Sequence, residues 1–508
     1  MKNLFTRHRE SSHKPLFDVL AVLFGIFIFT LLVLPSLVAG SAYFDEGYSA
    51  YLAQFDPLTI AVYTGMDVHP PLYYTALHIW QTIVGGGVEQ LRWLSVVFAW
   101  VAIGFGFLIV RRWFGQRAAW TATLLISLSP LLIRYGATMR MYTMALAIAF
   151  AATYVLLRAV ASKDKRWWIA YTVLVAAGMW TNYFMALVWV THALWLLYEY
   201  RGNKEIVHAW RKALVWSVVL YLPWLPMLLY RYGEIQVSGF WIKPISVDTL
   251  VSTVTQSIVF RSASDTYTWL ALGVIALVVT LAFVGRSVYQ NLDKAKKAPF
   301  RLLLAMTSLP VILLAVGSLP PLRSSFVYRY VIVAAVTSAL VIAIIAAYAK
   351  FKQHDKLKRV LLYVLAFGLF ANGAAHAVYM GNRNLDTDKE NKLLQIMKIV
   401  HKSDKQADVV VRSPYSYYVV RFYEAPNYGV KFLYTDNLAK MGSTKPLADH
   451  PDKSVSNFDG LDRVWLVGED EQSVVTPKGE WTRKSYLIEH DDITNEVVAA
   501  AAYYERAD

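Results

Sequence analysis

The stretch LFDVLAVLFGIFIFTLLVLPSLVAGSAYFDEGYSA, residues 16–50, decides the class of this protein. An apolar run long enough to cross a bilayer ends beside two adjacent carboxylates, Asp45 and Glu46. Residues 16–39 are apolar apart from Asp18 and a few small polar side chains, and about 20 such residues in a helix match the hydrocarbon core. The basic segment before it, MKNLFTRHRESSHK, has the character of a secretory leader. The run is too long for a leader and no small-residue cleavage pattern stands out, so it is expected to be retained as a first span. Charges beside a span are costly unless satisfied or used, so the acid pair needs a purpose.

The chain has 508 residues, of which 56% are hydrophobic, and a mean hydropathy of +0.38. A soluble fold could not hide that much apolar surface, so a polytopic membrane protein is expected. The net charge of +14 would suggest nucleic acid as a partner in a soluble chain. Here the enrichment of Lys and Arg on the cytoplasmic side of membrane proteins explains it, and no nucleic-acid partner is expected. The sequence has no cysteine, which excludes disulfides and thiolate metal sites.

Hydropathy places about eleven spans, at 16–38, 91–110, 118–134, 138–158, 167–182, 184–198, 213–230, 267–285, 302–318, 327–348 and 358–378. The loops alternate in charge. MKNLFTRHRESSHK, RRWFGQR, RAVASKDKRWW, EYRGNKEIVHAWRK, GRSVYQNLDKAKKAPFR and AKFKQHDKLKR are basic and should be cytoplasmic. Residues 39–91 contain no Lys or Arg but carry Asp45, Glu46, Asp56, Asp67 and Glu89, so they are expected outside the cytoplasm. With an odd span count the C-terminus follows them. After about residue 380 the pattern changes. Leu393, Leu394, Met397 and Val400 mark a helical face, and the short runs DVVVR, GVKFLY, RVWLVG and SYLIEH read as strands between turns. The expected architecture is mainly α. A polytopic helical bundle over 1–380 holds a catalytic first outer loop at 39–91, and a small extracytoplasmic α/β domain follows at 381–508.

The outer turns collect a short set of polar residues. Asp45 and Glu46 are followed by Asp67 and His69 in GMDVHPPLYY. Arg140 and Tyr142 lie in SPLLIRYGATMRMYTMA, Asn182 and Tyr183 in GMWTNYF, and Arg329 and Tyr330 in PPLRSSFVYRYVIV. The order DE, HPPLYY, SP…RMY, TNYF, YRY resembles the GT-C membrane glycosyltransferases, in particular the bacterial protein O-mannosyltransferase and aminoarabinose-transferase-like branch. Relatives often carry Gln-Glu or a similar polar pair before Arg-Met-Tyr, where this chain has Gly136-Ala137-Thr138-Met139.

That resemblance implies transfer of a sugar from a polyprenyl-phosphate donor to an acceptor hydroxyl at the outer face, with inversion. It implies Asp45 as general base, with Glu46 orienting the acceptor or tuning Asp45. Arg140 would meet the donor phosphate, helped by Tyr142, Arg329 and Tyr330, while Asp67 and His69 would contact substrate. Partners would be the lipid-linked donor, membrane lipids, and a protein, glycan or glycolipid acceptor. No cofactor is required, although Asp67 and His69 have the chemistry to hold a divalent metal.

Plainer readings stand beside these. Asp45 also suits a helix N-cap, and Arg140 suits a snorkelling interfacial side chain. Tyr142 suits an aromatic belt, His69 a turn before Pro70-Pro71, and Asn182 and Tyr183 a helix end. Among other functions, a lipid or ion transporter would use the same charges, but transporters place ionisable groups near the midplane and often show repeated halves. A lipid-binding assembly partner would need no base.

Overall fold

In the computed structural model the described residues are 15–39, 41–162, 164–238, 242, 244–261, 268–349, 356–383, 388–403, 407–423, 429–433, 442–491 and 495–506. The basic stretch 1–14 and most of the one at 349–359 lie outside them. The chain opens with α1 (Pro15–Ala39) and three short helices, α2 (Phe44–Leu52), α3 (Pro57–Gly65) and α4 (Leu72–Val84). There follow α5 (Val88–Phe114), α6 (Gln116–Ser127), α7 (Pro130–Gly136), α8 (Tyr142–Ser162), α9 (Lys165–Thr181), α10 (Met185–Tyr200) and α11 (Lys204–Tyr221). Next come α12 (Leu225–Ser238), α13 (Val247–Val259), α14 (Thr268–Asn291), α15 (Lys294–Val316), α16 (Ile332–Tyr348) and α17 (Lys356–Arg383). The C-terminal part runs α18 (Asp388–Ser403), β1 (Asp408–Val411), α19 (Pro414–Tyr423), β2 (Val430–Leu433), α20 (Lys445–Ala448), β3 (Ser454–Val455), β4 (Arg463–Gly468), β5 (Trp481–His490) and β6 (Val497–Arg506).

These elements form two compact units, one of residues 1–35 and 92–379, the other of residues 36–91 and 380–508. The break near 380 coincides with the compositional change, whereas residues 39–91, expected as a loop of the membrane domain, fold with the C-terminal region.

The first unit is the helical membrane bundle. Among the described residues eight helices are long and apolar enough to cross a membrane, and nine if α6 and α7, bent by 54°, make one span. The bend sits where Ser129-Pro130 interrupts the helix, as proline's missing N–H requires. Two expected spans, α9 and α10, are helices of 17 and 16 residues, so the expected eleven is not matched on length alone. α8 and α16 are 83% buried over their apolar windows, while α1 and α14 are 17% buried. The first two are therefore core helices and the others face outward.

Small residues set the contacts, as expected where lipid removes the hydrophobic drive between helices. A Cβ on Gly25 would lie 2.3 Å from Thr123, and the Ser127 hydroxyl donates to the Gly25 carbonyl at 2.8 Å. Charge at span ends is paired: Asp18 accepts from Arg111 at 2.8 Å, and Glu199 takes both arms of Arg301.

The second unit is α/β. Its six-stranded sheet has the order β3-β2-β1-β4-β6-β5. β1 lies parallel to β2 and β4, and β2 parallel to β3, while β6 runs antiparallel to β4 and β5. DVVV and VWLV are nearly continuous apolar runs because central parallel strands are covered on both faces. The expected strands in the four apolar runs are present.

β6 was not among them. Its Val-Val-Ala-Ala-Ala-Ala tract favours helix by intrinsic propensity, yet Ala499–Ala502 are fully buried under α18, and packing overrides propensity. On α18 the buried face is Leu393, Ile396, Met397 and Val400. Leu394, expected on that face, is only partly buried.

Candidate active site

In the second unit the acid pair lies in the first turn of α2. Tyr43, not Asp45, occupies the N-cap position, and it makes no side-chain cap. Asp45 therefore does not cap the helix; the aspartate that does cap is Asp56, which accepts from the amides of Leu58 and Thr59 on α3. Both acids of the pair still gain from the positive end of the helix dipole. Their exposure differs: Glu46 is 0% exposed and Asp45 is partly open. That burial fits a role beside Asp45 more readily than direct contact with an acceptor.

α2 is clamped by the distant helix α19. A Cβ on Gly47 would stand 2.8 Å from the Tyr418 carbonyl oxygen. The rings of Tyr48 and Tyr51 lie 5.2 and 5.1 Å from that of Tyr418. The Ala42 amide donates to the Tyr423 hydroxyl at 2.6 Å. Gly47→Ala is expected to force the two backbones apart, costing about 1–3 kcal/mol as overpacking does. Heat-inactivation half-life measures it, and an unchanged half-life would contradict this contact.

Around Tyr415 the unit gathers acidic groups, Asp45 among them, that no local motif reveals. The Tyr415 ring, 46% exposed, packs on Phe44 at 4.5 Å. Its phenol is pushed above the usual value by burial, with the negative charges of Glu469, Asp45 and Asp67 adding to the effect. Glu469 accepts from the Ser413 hydroxyl at 3.1 Å. Asp67 and His69 join each other, Oδ2 to Nδ1, at 3.2 Å. Among the described residues no three His, Cys, Asp or Glu side chains gather as metal ligands.

In the first unit Arg140 lies in the turn between α7 and α8, and Tyr142 opens α8. The turn is held by Ser95, whose hydroxyl donates to the Thr138 carbonyl at 2.5 Å, and by the Arg140 amide, which donates to the same carbonyl at 2.8 Å. Arg140 is 1% exposed, so it is not a snorkelling side chain. Tyr142 is 2% exposed with its ring 4.5 Å from Tyr135, so it belongs to no interfacial belt.

Tyr142, Asn182, Phe184, Arg329 and Tyr330 line one narrow cavity. Tyr330 stacks on Phe184 at 3.9 Å, and the Arg329 guanidinium lies 5.5 Å from the Tyr330 ring centre, within cation–π range. Asn182 does end α9, as expected, accepting from the Phe184 amide at 2.8 Å. It also lines this cavity, while the Tyr183 hydroxyl accepts from the Trp224 indole. Val331 and Ala334 line both this cavity and an apolar groove of about 320 Å³ walled by α13, α14, α15 and α16. A cationic and phenolic cluster thus lies beside a hydrocarbon-lined groove, with Val331 and Ala334 shared between them. The groove was invisible to sequence reasoning, because its walls come from four helices that each read only as apolar.

The comparisons agree with this architecture. A family model described as dolichyl-phosphate-mannose-protein mannosyltransferase matches residues 68–228. No curated protein sequence matches the chain. Among solved structures, ArnT from Cupriavidus metallidurans superposes with a TM-score of 0.60 at 12% identity over 96% of this chain and 98% of that one, both in the apo state and bound to undecaprenyl phosphate. The oligosaccharyltransferase AglB from Archaeoglobus fulgidus, in complex with an inhibitory peptide and a dolichol-phosphate, gives 0.52 at 11% identity over 90% of this chain and 70% of that one. From the helical bundle and the sheet-bearing unit together with these likenesses, the chain has the GT-C membrane glycosyltransferase fold, in a form similar to ArnT and the protein mannosyltransferases.

Proposed function

We propose that this protein transfers a sugar from a polyprenyl-phosphate donor to an acceptor hydroxyl at the outer face of the membrane, with inversion at the anomeric carbon. The observation that carries this reading is the cluster of Arg329, Tyr330, Tyr142 and Asn182, whose cavity shares Val331 and Ala334 with the neighbouring apolar groove. A lipid phosphate needs both halves of that arrangement: a guanidinium for its charge and a dry groove for its tail. The likeness to a structure that holds undecaprenyl phosphate supports it.

In the reaction, Asp45 removes the acceptor proton as the acceptor oxygen forms its bond to C1. The bond from C1 to the phosphate oxygen breaks, and its electron pair leaves on the polyprenyl phosphate. The leaving phosphate needs its charge met rather than a proton, so one base and preorganised cations suffice and no metal is required. The absence of Lys and Arg from residues 39–91 and the basic opposite loops support a cytoplasmic N-terminus, with the acid pair and C-terminal unit outside.

The test is to incubate the purified full chain with a polyprenyl-phosphate sugar and cell-envelope extract. Release of polyprenyl phosphate with matching mass gain in the envelope material is expected. Movement of intact lipid across vesicles without cleavage would overturn the reading in favour of a transporter. Tyr415 extends the same chemistry to the acceptor side. Tyr415→Ala is expected to raise the acceptor KM about fivefold, the loss of roughly 1 kcal/mol of ring contact. Slow hydrolysis of the donor by water should stay unchanged. An unchanged acceptor KM would remove Tyr415 from the site.

A further inference from the structure

A second pocket lies at the other end of α9. Counting 1.5 Å per residue, the start of α9 at Lys165 is about 25 Å along the helix from Asn182, so this pocket is separate from the phosphate cluster. It has a volume of about 420 Å³ between α9 and α11. Its polar wall is Lys165, Glu205, His208 and Lys212, and its apolar wall includes Trp168, Ile169 and Trp216.

The chemistry changes at one level on both helices. On α9, exposed Lys165 and Arg166 give way within a turn to Ile169, 64% exposed, and then Val173. On α11, exposed Arg211 and Lys212 give way to Val215 and Trp216, 60% and 61% exposed. A basic-to-apolar switch marked by tryptophan is the signature of a membrane interface. The pocket straddles that switch. Below it the helices close, because the Ser217 hydroxyl donates to the Thr172 carbonyl at 3.1 Å and the Thr172 hydroxyl donates to the Ala213 carbonyl at 3.3 Å. The cleft therefore ends where α9 and α11 meet, while Ile169 and Trp216 of its apolar wall are exposed at the surface.

A molecule that fills this shape is anionic at one end and hydrocarbon at the other. We infer that the pocket holds one anionic phospholipid of the leaflet on the basic side, its phosphate between Lys165 and Lys212 and its chains along Ile169 and Trp216. Basic pockets between membrane helices select such headgroups. Glu205 disfavours a bare phosphate and suits a headgroup that also offers hydroxyl donors, as phosphatidylglycerol does. The inference does not depend on the proposed transferase activity.

The test uses the full chain, delipidated in neutral detergent and titrated with dioleoyl phosphatidylglycerol or dioleoyl phosphatidylcholine, with bound lipid counted by native mass spectrometry. One phosphatidylglycerol should be retained at concentrations roughly tenfold below those needed for phosphatidylcholine, and Lys165→Gln with Lys212→Gln should erase that preference. Equal retention of the two lipids, or an unchanged preference in the double variant, overturns the inference. Full displacement of the lipid by inorganic phosphate also overturns it, since that marks a free-anion site. Should the double variant fail to fold, Lys212→Gln alone and the lipid comparison on the unaltered chain decide.

Discussion

Asp45→Asn is expected to fold, insert and bind donor normally while losing sugar transfer by about 10²–10⁴-fold, the range that positioned base catalysis supplies. Asparagine has the same shape but cannot accept the acceptor's proton. The structural cost is small by comparison. Asp45 is a first-turn residue and not the cap of α2, so no helix cap is lost with its charge and the dipole part of the cost is about 0.3–1 kcal/mol. Activity and stability therefore separate, which makes the variant informative. Release of polyprenyl phosphate from a purified lipid-linked donor measures the first, and heat-inactivation half-life the second. Transfer at the unaltered rate by Asp45→Asn would remove the mechanism. Glu46→Gln should behave differently. Its side chain is buried, so stability and activity should fall together.

What the sequence made legible follows the range of the physics behind each feature. Hydropathy acts over one helix, and every expected span corresponds to helix in the structure, although the span expected at 118–134 is broken at Ser129-Pro130. Strand signals in DVVV and VWLV are equally local. β6 escaped because Ala499–Ala502 owe their conformation to burial beneath α18, not to their own preference. The joining of residues 36–91 to 380–508 escaped for a related reason. No periodicity in FDEGYSAYL announces that Gly47 will seat against Tyr418, because that contact links segments some hundreds of residues apart. The site divides in the same way. Tyr142, Arg329 and Tyr330, selected as polar residues at outer turns, come together around one cavity. Tyr415, which feels the charges of both Asp45 and Glu469, could not be selected, and neither could Glu469, since an exposed tyrosine and an acid in a soluble-looking domain carry no mark of their own.

Arg329→Ala is expected to lower kcat/KM for the lipid-linked donor by about 10²–10³-fold, the loss associated with one preorganised donor to a developing anion. Arg329 is partly exposed, lines the cavity that adjoins the apolar groove, and is held by Tyr330, itself stacked on Phe184. Its removal leaves those rings in place, so the protein should remain folded. Arg329→Lys should restore little, because an ammonium lacks the planar fork that meets two phosphate oxygens. Arg140 gives the contrast. At 1% exposure it cannot be removed without leaving a cavity, and buried large-to-small changes cost several kcal/mol, on the order of 2–5. Arg140→Ala should therefore lose stability as well as donor use, and Arg140→Gln, closer in volume, should recover stability before it recovers donor use. If Arg140→Gln instead regained both together, Arg140 would be a packing residue and the donor phosphate would rest on Arg329. If Arg329→Ala left donor kcat/KM unchanged, the cavity beside the groove would not be the phosphate site.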